Sequence, residues 1–578
     1  MHPRNFSLSI GSVLASIVVC AVFVGCGQDA PSNSSGSAGT GGKGTGGEGT
    51  GGIGTGGNGT GGAGNGSSAS SGVGGGGGTP TPLAPTCDPT ASGSSTVQAP
   101  ELLIKLADRY HEGWLSSPAV ADLDGDGQNE IVNLREGRVE CHRSDGTLAW
   151  TSPFTGRAWS SPVVANLVGD AALEIAFAAR DQVYVINKAG QPVPGFPVTW
   201  QNEMRGFAAG DVDGDGQLDL VASVGRSGPT DVVNAWHADG TPVAGFPPNA
   251  QSVSGCDAQC YLAGCYDQNL AIGDFDGDGK SDLIAPHDNA YLSIHKGTGE
   301  AFNANPMFKP KKVPGVRFMH ELALAIQGYA NNEDIDLQAH FTNTAPAIAD
   351  IDLDGTYEAV FTGSVQNASQ ADRLRGVGLW AIRADASRIP NWDAPFHAPE
   401  YLDGLWDPGN NIVGLTNQVT IADINATKPG LEMIFAGFDG RIHAVAADRT
   451  ELWQMQYTTS QAVFTPGIVV ADLSADGVPE IVFATYSSAE NASALFILNA
   501  AGSKLFELPL PNRGSMAVPT LADVDNDGTV DIVINLKDAI DNVEVARIYR
   551  VPGSRTNCLL WPTGRANNLR NALVPKKN

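Results

Sequence analysis

Hydrophobic and polar positions divide the chain into three stretches. A mostly apolar run extends from about Leu8 to Val24. From Gln28 to Thr86 there is hardly an apolar side chain. From about residue 100 to 565, short apolar runs alternate with Asp- and Gly-rich turns. Within this last stretch one order of segments recurs. A short β-rich segment comes first, such as Pro118-Ala119-Val120-Ala121 or Pro162-Val163-Val164-Ala165. An acidic loop follows, then an apolar strand such as Ile131-Val132 or Ile532-Val533-Ile534. An alternating strand comes next, as in Arg138-Val139-Glu140-Cys141, and ends in a turn at Asp145-Gly146. The fourth segment carries an aromatic residue, as in Leu148-Ala149-Trp150 or Leu452-Trp453. Runs this short, bounded by turn formers, predict strands and not helices.

The acidic loop is the most regular part of the unit. Five full copies place acids at positions 1, 3, 5 and 9 and glycine at position 6. They are Asp122, Asp124, Asp126 and Glu130; Asp211, Asp213, Asp215 and Asp219; Asp274, Asp276, Asp278 and Asp282; Asp350, Asp352, Asp354 and Glu358; and Asp523, Asp525, Asp527 and Asp531. A near copy is Asp472, Ser474, Asp476 and Glu480, with Gly477. Two copies have decayed. At Asn166, Val168, Asp170 and Glu174 an apolar residue takes an acid's place, and Ala171 replaces the glycine. Around Asp423, Asn425 and Glu432 the loop is one residue longer and lacks its central acid. These two are expected to keep the turn without holding a metal well.

The copies start at residues 122, 166, 211, 274, 350, 423, 472 and 523. Where they lie closest, the spacing of about 45–50 residues suits a four-stranded propeller blade. The repeated loop at this spacing resembles the FG-GAP/VCBS repeats of integrin-α-type propellers. That resemblance implies an all-β fold, a β-propeller of four-stranded antiparallel blades. Eight repeats predict eight blades, although the seven-bladed form is commonest in that family. Two segments compete to close the ring. Leu102 to Ala107 precedes Trp114 much as Leu148 precedes Trp159, and so looks like a fourth strand; Leu559-Leu560-Trp561 looks like one for the last blade. Cys87 and Cys558 flank that seam, and a disulfide between them would lock it.

Calcium takes six to eight oxygen ligands in flexible geometry. Acids at positions 1, 3 and 5 of a tight loop converge their oxygens, position 7 offers a carbonyl, and position 9 can add two oxygens. Glycine at position 6 permits the sharp turn. Ordinary solvated Asp-Gly turns would explain Asp and Gly, but not acids repeatedly at all four positions. An EF-hand is disfavoured, because strands follow the loops and the last acid falls at position 9 instead of 12. Calcium is therefore the expected cofactor, with a structural role: each ion ties the turn between two strands of a blade.

Charge agrees with this reading. The chain carries 62 Asp and Glu against 35 Lys and Arg, a formal net charge of -27. That balance argues against nucleic acid as a partner, since phosphate affinity needs clustered cations. Much of the negative charge belongs to the acidic loops.

The first two stretches concern export. The run from Leu8 to Val24 follows a weakly basic start at His2 and Arg4 and falls short of the about 20 apolar residues of a comfortable membrane span. It ends in Phe23-Val24-Gly25-Cys26, which resembles a bacterial lipobox, where cleavage precedes a cysteine that becomes lipidated. Residues 1–25 are thus expected to be a lipoprotein signal peptide. Residues 26–86 would carry the lipid on Cys26 and form a disordered linker, including five consecutive Gly-Thr-Gly-Gly-x copies from Gly39 to Ala63. Such sequence cannot bury enough apolar area to offset its chain entropy. As a flexible tether it would span about 40 Å. Residues 87–578 form the propeller, and the expected location is the cell envelope, as an outer-membrane or cell-surface lipoprotein held to the membrane by its anchor. The spacing of Cys256, Cys260 and Cys265 matches no zinc pattern, and an exported chain favours disulfides.

Three connections, between copies three and six, carry roughly 15 to 30 extra residues each. The first holds the three close cysteines; the second holds Phe318 to Ile326, a candidate short helix, with His320 and His340. The third holds Trp392, Phe396, His397, Tyr401 and Trp406. Insertions on neighbouring blades suggest a binding face; local packing over blade edges is the equally weighted alternative. No catalytic constellation is visible: His320-Glu321 lacks the second histidine of a zinc protease, and there is no Gly-x-Ser-x-Gly elbow. His111, His142 and His443 read as surface or strand positions. Two functions remain. One is a surface-displayed calcium-binding propeller acting as a binding or adhesion module for a glycan or extracellular protein. The alternative is a calcium-dependent polysaccharide lyase, because some rhamnogalacturonan lyases resemble this architecture.

Overall fold

The computed structural model describes residues 87, 90 and 93–576, except 108–112, 171, 202, 225–232, 249–269, 287–290, 301, 303–315, 318–337, 341–343, 367–375, 386, 403–416, 490 and 538–543. All lie in the second of two compact units, Ser71–Asn578; the first is Met1–Ser70. The signal peptide, Cys26 and the glycine-rich linker are outside the described residues. So are Cys256, Cys260, Cys265, His111, the Phe318 to Ile326 segment with His320, and Trp406.

The repeated segments form eight antiparallel blades, and no helix occurs among the described residues. Blade 1 runs in sequence order from axis to rim: Ala119–Ala121, Glu130–Arg135, Arg138–His142 and Leu148–Pro153. The following blades start at Val163–Ala165, Met204–Gly210, Ala271–Gly273, Ala347–Ala349, Thr420–Ala422, Ile468–Ala471 and Thr520–Ala522. Blade 3 has three described strands, and blade 5 gains an extra one at Gln338–His340. Burial explains the sequence pattern. Second strands such as Glu174–Ala179 and Glu480–Ala484 are buried throughout, so they read as continuous apolar runs. Outer strands such as Glu451–Gln456 alternate with solvent and take an aromatic on their inner side.

The ring closes through the N-terminal candidate. Glu101–Ala107 pairs antiparallel with Glu544–Arg550 and becomes the rim strand of blade 8. Ile104 then packs under the Gly146 turn of blade 1, where Trp150 packs under Gly190 of blade 2 and Trp453 under Gly502 of blade 7. One inter-blade contact thus repeats across the seam. The Leu559–Trp561 candidate does not form a rim strand. It pairs with Ile468–Ala471, at the axial edge of blade 7, and Trp561 is fully buried.

Beyond that pairing the C-terminal segment occupies the axis. Every innermost strand leaves an edge of backbone groups that must find partners. The segment supplies them to one blade after another. Leu521 N–H donates to Pro562 O (2.7 Å), Val164 to Asn568 O (3.0 Å) and Ala209 to Leu569 O (2.9 Å). Ile272 donates to Asn571 O and Ile348 to Ala572 O, both at 2.9 Å. Blade 6 accepts Arg565 N–H at Gln418 Oε1 (3.2 Å), and blade 1 accepts Asn568 Nδ2 at Val120 O (3.3 Å). Contact with all eight blades makes the segment an axial plug. Small residues on the inner strands admit it: a Cβ on Gly273 would lie 2.9 Å from Leu573 Cδ1.

The Cys87–Cys558 disulfide forms, with Cα atoms 5.0 Å apart. It ties the N-terminal segment to the start of the plug beside blade 7, where Asp472 N–H donates to Cys558 O (3.0 Å).

Candidate metal centres

Each acidic loop joins the first strand of its blade to the second, so all eight sit on one face of the ring. Their backbone is held by the acids themselves. The first acid accepts the position-6 glycine N–H in all six well-kept loops: Gly127 to Asp122 (2.9 Å), Gly216 to Asp211 (3.0 Å), Gly279 to Asp274 (2.9 Å), Gly355 to Asp350 (2.9 Å), Gly477 to Asp472 (2.7 Å) and Gly528 to Asp523 (2.7 Å). These glycines share φ values of 84–89°. Position 4 is also left-handed. It holds Gly125, Gly214 and Gly277 in three loops, but Leu353, Ala475 and Asn526 in the others, with φ of 61°, 59° and 60°. That second constraint is not visible as a glycine rule in the sequence.

The position-9 acid uses one oxygen to hold the loop. It accepts the position-2 N–H, as from Val212 to Asp219 (2.9 Å), Phe275 to Asp282 (2.9 Å), Ile351 to Glu358 (3.0 Å) and Leu473 to Glu480 (2.7 Å). This leaves one oxygen for an ion where the sequence suggested two. In several loops it is buried with no hydrogen-bond partner: Glu358 Oε1 and Asp531 Oδ1, together with Asp350 Oδ1 and Asp525 Oδ1. A buried carboxylate oxygen without a hydrogen bond is costly unless a cation meets it; Arg383 Nε lies 3.9 Å from Glu358 Oε1 and Arg550 Nε 3.7 Å from Asp531 Oδ1.

In four of the loops three acids bring ligand oxygens together. Ligand atoms of Asp122, Asp124 and Asp126 lie within 4.8 Å of one another, as do those of Asp211, Asp213 and Asp219. The same holds for Asp274, Asp276 and Asp282, and for Asp350, Asp352 and Glu358. Burial, with neighbouring loop acids adding to it, raises the position-9 carboxyls: Asp219 to about 6, Asp282 and Asp531 to about 7, Glu358 and Glu480 to about 8. Crowded carboxyls that resist ionisation mark a place where a divalent cation is favoured. The residues therefore fit a hard cation with oxygen ligands.

Side chains from the turn after the third strand also reach the loops. His237 Nδ1 is 2.8 Å from Asp219 Oδ1, and Lys296 Nζ is 2.8 Å from Asp276 Oδ2. Arg383 pairs with Asp354, and Arg550 with Asp525. His237 also groups with Asp213 and Asp215. The four occupy one repeat position, three residues before the turn glycine at Gly240, Gly299 and Gly553. Sequence reasoning missed them, although that register could have shown them.

The near copy is covered by the chain's own start. Thr90 N–H donates to Ala475 O (2.9 Å) and Ser94 N–H to Ser474 O (3.0 Å), so Asp472 and Ser474 are buried. The decayed loops keep their turns: Leu167 N–H still reaches Glu174 (2.9 Å) and Ile424 N–H reaches Glu432 (2.9 Å) across the longer loop. The third insertion resolves towards packing where it is described. Trp392 is buried and donates to Ala447 O of blade 6 (2.7 Å), and Phe396 lies edge-on to Phe435. His142 and His443 are buried strand residues; His443 Nδ1 meets Glu451 Oε1 at 2.8 Å.

A family model described as an FG-GAP-like repeat matches residues 472–534, the stretch from the acidic loop of blade 7 to that of blade 8. No curated protein matches the sequence. Among solved structures, the rhamnogalacturonan lyase YesW is 14% identical, with 82% of this chain and 81% of that chain covered and a TM-score of 0.44. The V. cholerae biofilm matrix protein Bap1 is 13% identical, with 86% and 96% covered and a TM-score of 0.35. BBS1N, from its complex with ARL6DN, is 10% identical, with 79% and 98% covered and a TM-score of 0.41.

Proposed function

We propose that this chain is an exported lipoprotein whose eight-bladed ring binds calcium in its acidic loops and serves as a surface-displayed binding or adhesion module. The observation that carries the calcium reading is the Asp350 loop, where ligand oxygens of Asp350, Asp352 and Glu358 converge and Asp350 Oδ1 and Glu358 Oε1 are buried without a hydrogen bond, the latter with only Arg383 Nε nearby at 3.9 Å. Oxygen-only loops of this kind suit calcium better than zinc, which draws on nitrogen and sulfur. The acids at positions 1, 3, 5 and 9 of the five full loops, and Asp472, Ser474, Asp476 and Glu480, would hold the ions. A bound ion neutralises acids that otherwise repel and fixes the turn between first and second strands. The result is a stiff scaffold whose opposite face is free to recognise a ligand.

The N-terminal sequence supports the display half of the reading. The lipobox-like Phe23-Val24-Gly25-Cys26 is followed by a linker with no apolar segment long enough to hold it elsewhere. Fractionating cells that make the full chain or its Cys26→Ser variant tests this. The full chain is expected in the membrane fraction and the variant outside it; equal partition would overturn the anchor. The competing lyase reading predicts that acidic polysaccharide is cleaved by elimination, giving unsaturated ends that absorb in the ultraviolet. The binding reading predicts retention of the polysaccharide with no such rise.

A further inference from the structure

Of the six well-kept acidic loops, the one in blade 7 is shut where the other five are open. In the five full loops the position-4 residue is exposed, Leu353 and Asn526 included, and so is the position-5 acid. In blade 7 Ala475, at position 4, is fully buried, and Asp476, at position 5, is half-buried. Ser474 at position 3 is buried too, whereas Asp124 and Asp276 stand exposed at that place.

The cover is the chain's own N-terminal segment. Thr90 N–H and Oγ1 both donate to Ala475 O (2.9 and 3.3 Å), and Ser94 N–H donates to Ser474 O (3.0 Å). Gly93 lies so close that a Cβ there would run into Ala475 O. Both ends of the segment are held. Cys87 is bonded to Cys558, whose carbonyl accepts the N–H of Asp472, the loop's own first acid (3.0 Å). At the other end Val97 is buried in the largest core cluster.

The covered loop also lacks a cation of its own. His237, Lys296 and Arg550 meet loop acids from three residues before a turn glycine. In blade 7 that place holds Asn499, whose side chain accepts the N–H groups of Ala501 and Ser503 within its own turn. Asp472 and Glu480 are buried, and no Lys, Arg or His among the described residues pairs with either. Acids withdrawn from water in this way are costly to ionise unless a cation is enclosed with them.

We propose that the N-terminal segment is a redox-controlled lid on the blade 7 loop, enclosing its calcium while the Cys87–Cys558 disulfide stands and freeing it when a thiol reductant opens that bond. The proposal rests on the calcium reading above and adds the control of one site. Opening uses two thiol groups of the reductant, which leave joined as its disulfide, and yields the free thiols of Cys87 and Cys558. The segment is then fixed only at Val97, and its few hydrogen bonds to Ser474 and Ala475 fray as those of a loose terminus do.

The test uses the full chain in detergent, with two readouts. The first is hydrogen exchange of the Ser474 to Gly477 amides in chelator. Exchange should speed up at least about tenfold in Cys87→Ser, and also in Gly93→Val, which forces the lid off with the disulfide intact. The second is calcium release from the loaded protein into a chromophoric chelator. Wild type should show a phase at least about tenfold slower than the rest, absent from both variants and from wild type treated with dithiothreitol. Amides that ignore either variant, or release from wild type in a single phase, overturn the lid. Amides that respond in a protein releasing no calcium keep the lid and defeat the calcium reading beneath it.

Discussion

Trp561 offers a sharp test of where the C-terminal segment lies. At the axis it is fully buried and packs in the largest core cluster. On the rim, as the last blade's outer strand, it would be only partly buried like Trp453, which keeps its indole bonded to Ala500 O (2.9 Å). Truncating a fully buried tryptophan to alanine costs about 3–5 kcal/mol through lost burial and the cavity left behind. A partly buried rim tryptophan should cost less, about 1–2 kcal/mol, in proportion to the area it buries. Trp561→Ala and Trp453→Ala, compared by denaturant unfolding in excess calcium, should therefore differ by about 2 kcal/mol or more. A third variant separates packing from polarity. Trp561 Nε1 is buried without a partner, so Trp561→Phe removes an unsatisfied donor as well as volume and should cost far less than alanine. Limited proteolysis should release the C-terminal segment early from Trp561→Ala. Equal costs for Trp561→Ala and Trp453→Ala, with the tail still protected, would refute the axial placement.

Other expectations follow from the loops and the clasp. In chelator, Glu358 and Glu480 keep protons up to about pH 8 in the folded state, while the unfolded chain releases them near pH 4. Melting temperature should then fall as pH rises from about 4 to 8, and saturating calcium should flatten that slope; a slope indifferent to calcium would count against ion binding there. Gly477→Ala places a Cβ at φ 89° and should cost about 1–2 kcal/mol by thermal melting, with Asp→Asn changes at exposed loop positions costing less in chelator. Cys558→Ser opens a link between residues 471 apart in sequence and should cost about 2–5 kcal/mol, measured against wild type under oxidising conditions. No loss would mean that the plug alone holds the seam.

The sequence exposed the fold through repetition. Eight loops at blade-like spacing announced eight blades, and the continuous apolar second strands and aromatic rim strands read correctly. It also exposed the acids, because their spacing is set by a tight turn and not by long-range contacts. The plug was not legible: Asn567-Asn568-Leu569-Arg570 has neither period nor repeat, and the role of the segment arises from backbone pairing with six blades and side-chain hydrogen bonds to the other two. Leu559-Leu560-Trp561 misled because an axial strand and a rim strand have the same local pattern and differ only in what surrounds them. The cationic partners of the loops were hidden for a related reason. His237, Lys296, Arg383 and Arg550 differ in type, so only their shared register, three residues before a turn, connects them.

The claim on which the rest depends is that the acidic loops bind calcium and thereby hold the ring. Calorimetric titration of the full chain with calcium, paired with melting in calcium and in chelator, tests it most directly. Five or six ions bound, with melting markedly lowered by chelation, is the predicted result. No binding heat and a melting temperature indifferent to chelator would contradict it, and would reduce the loops to ordinary acidic turns.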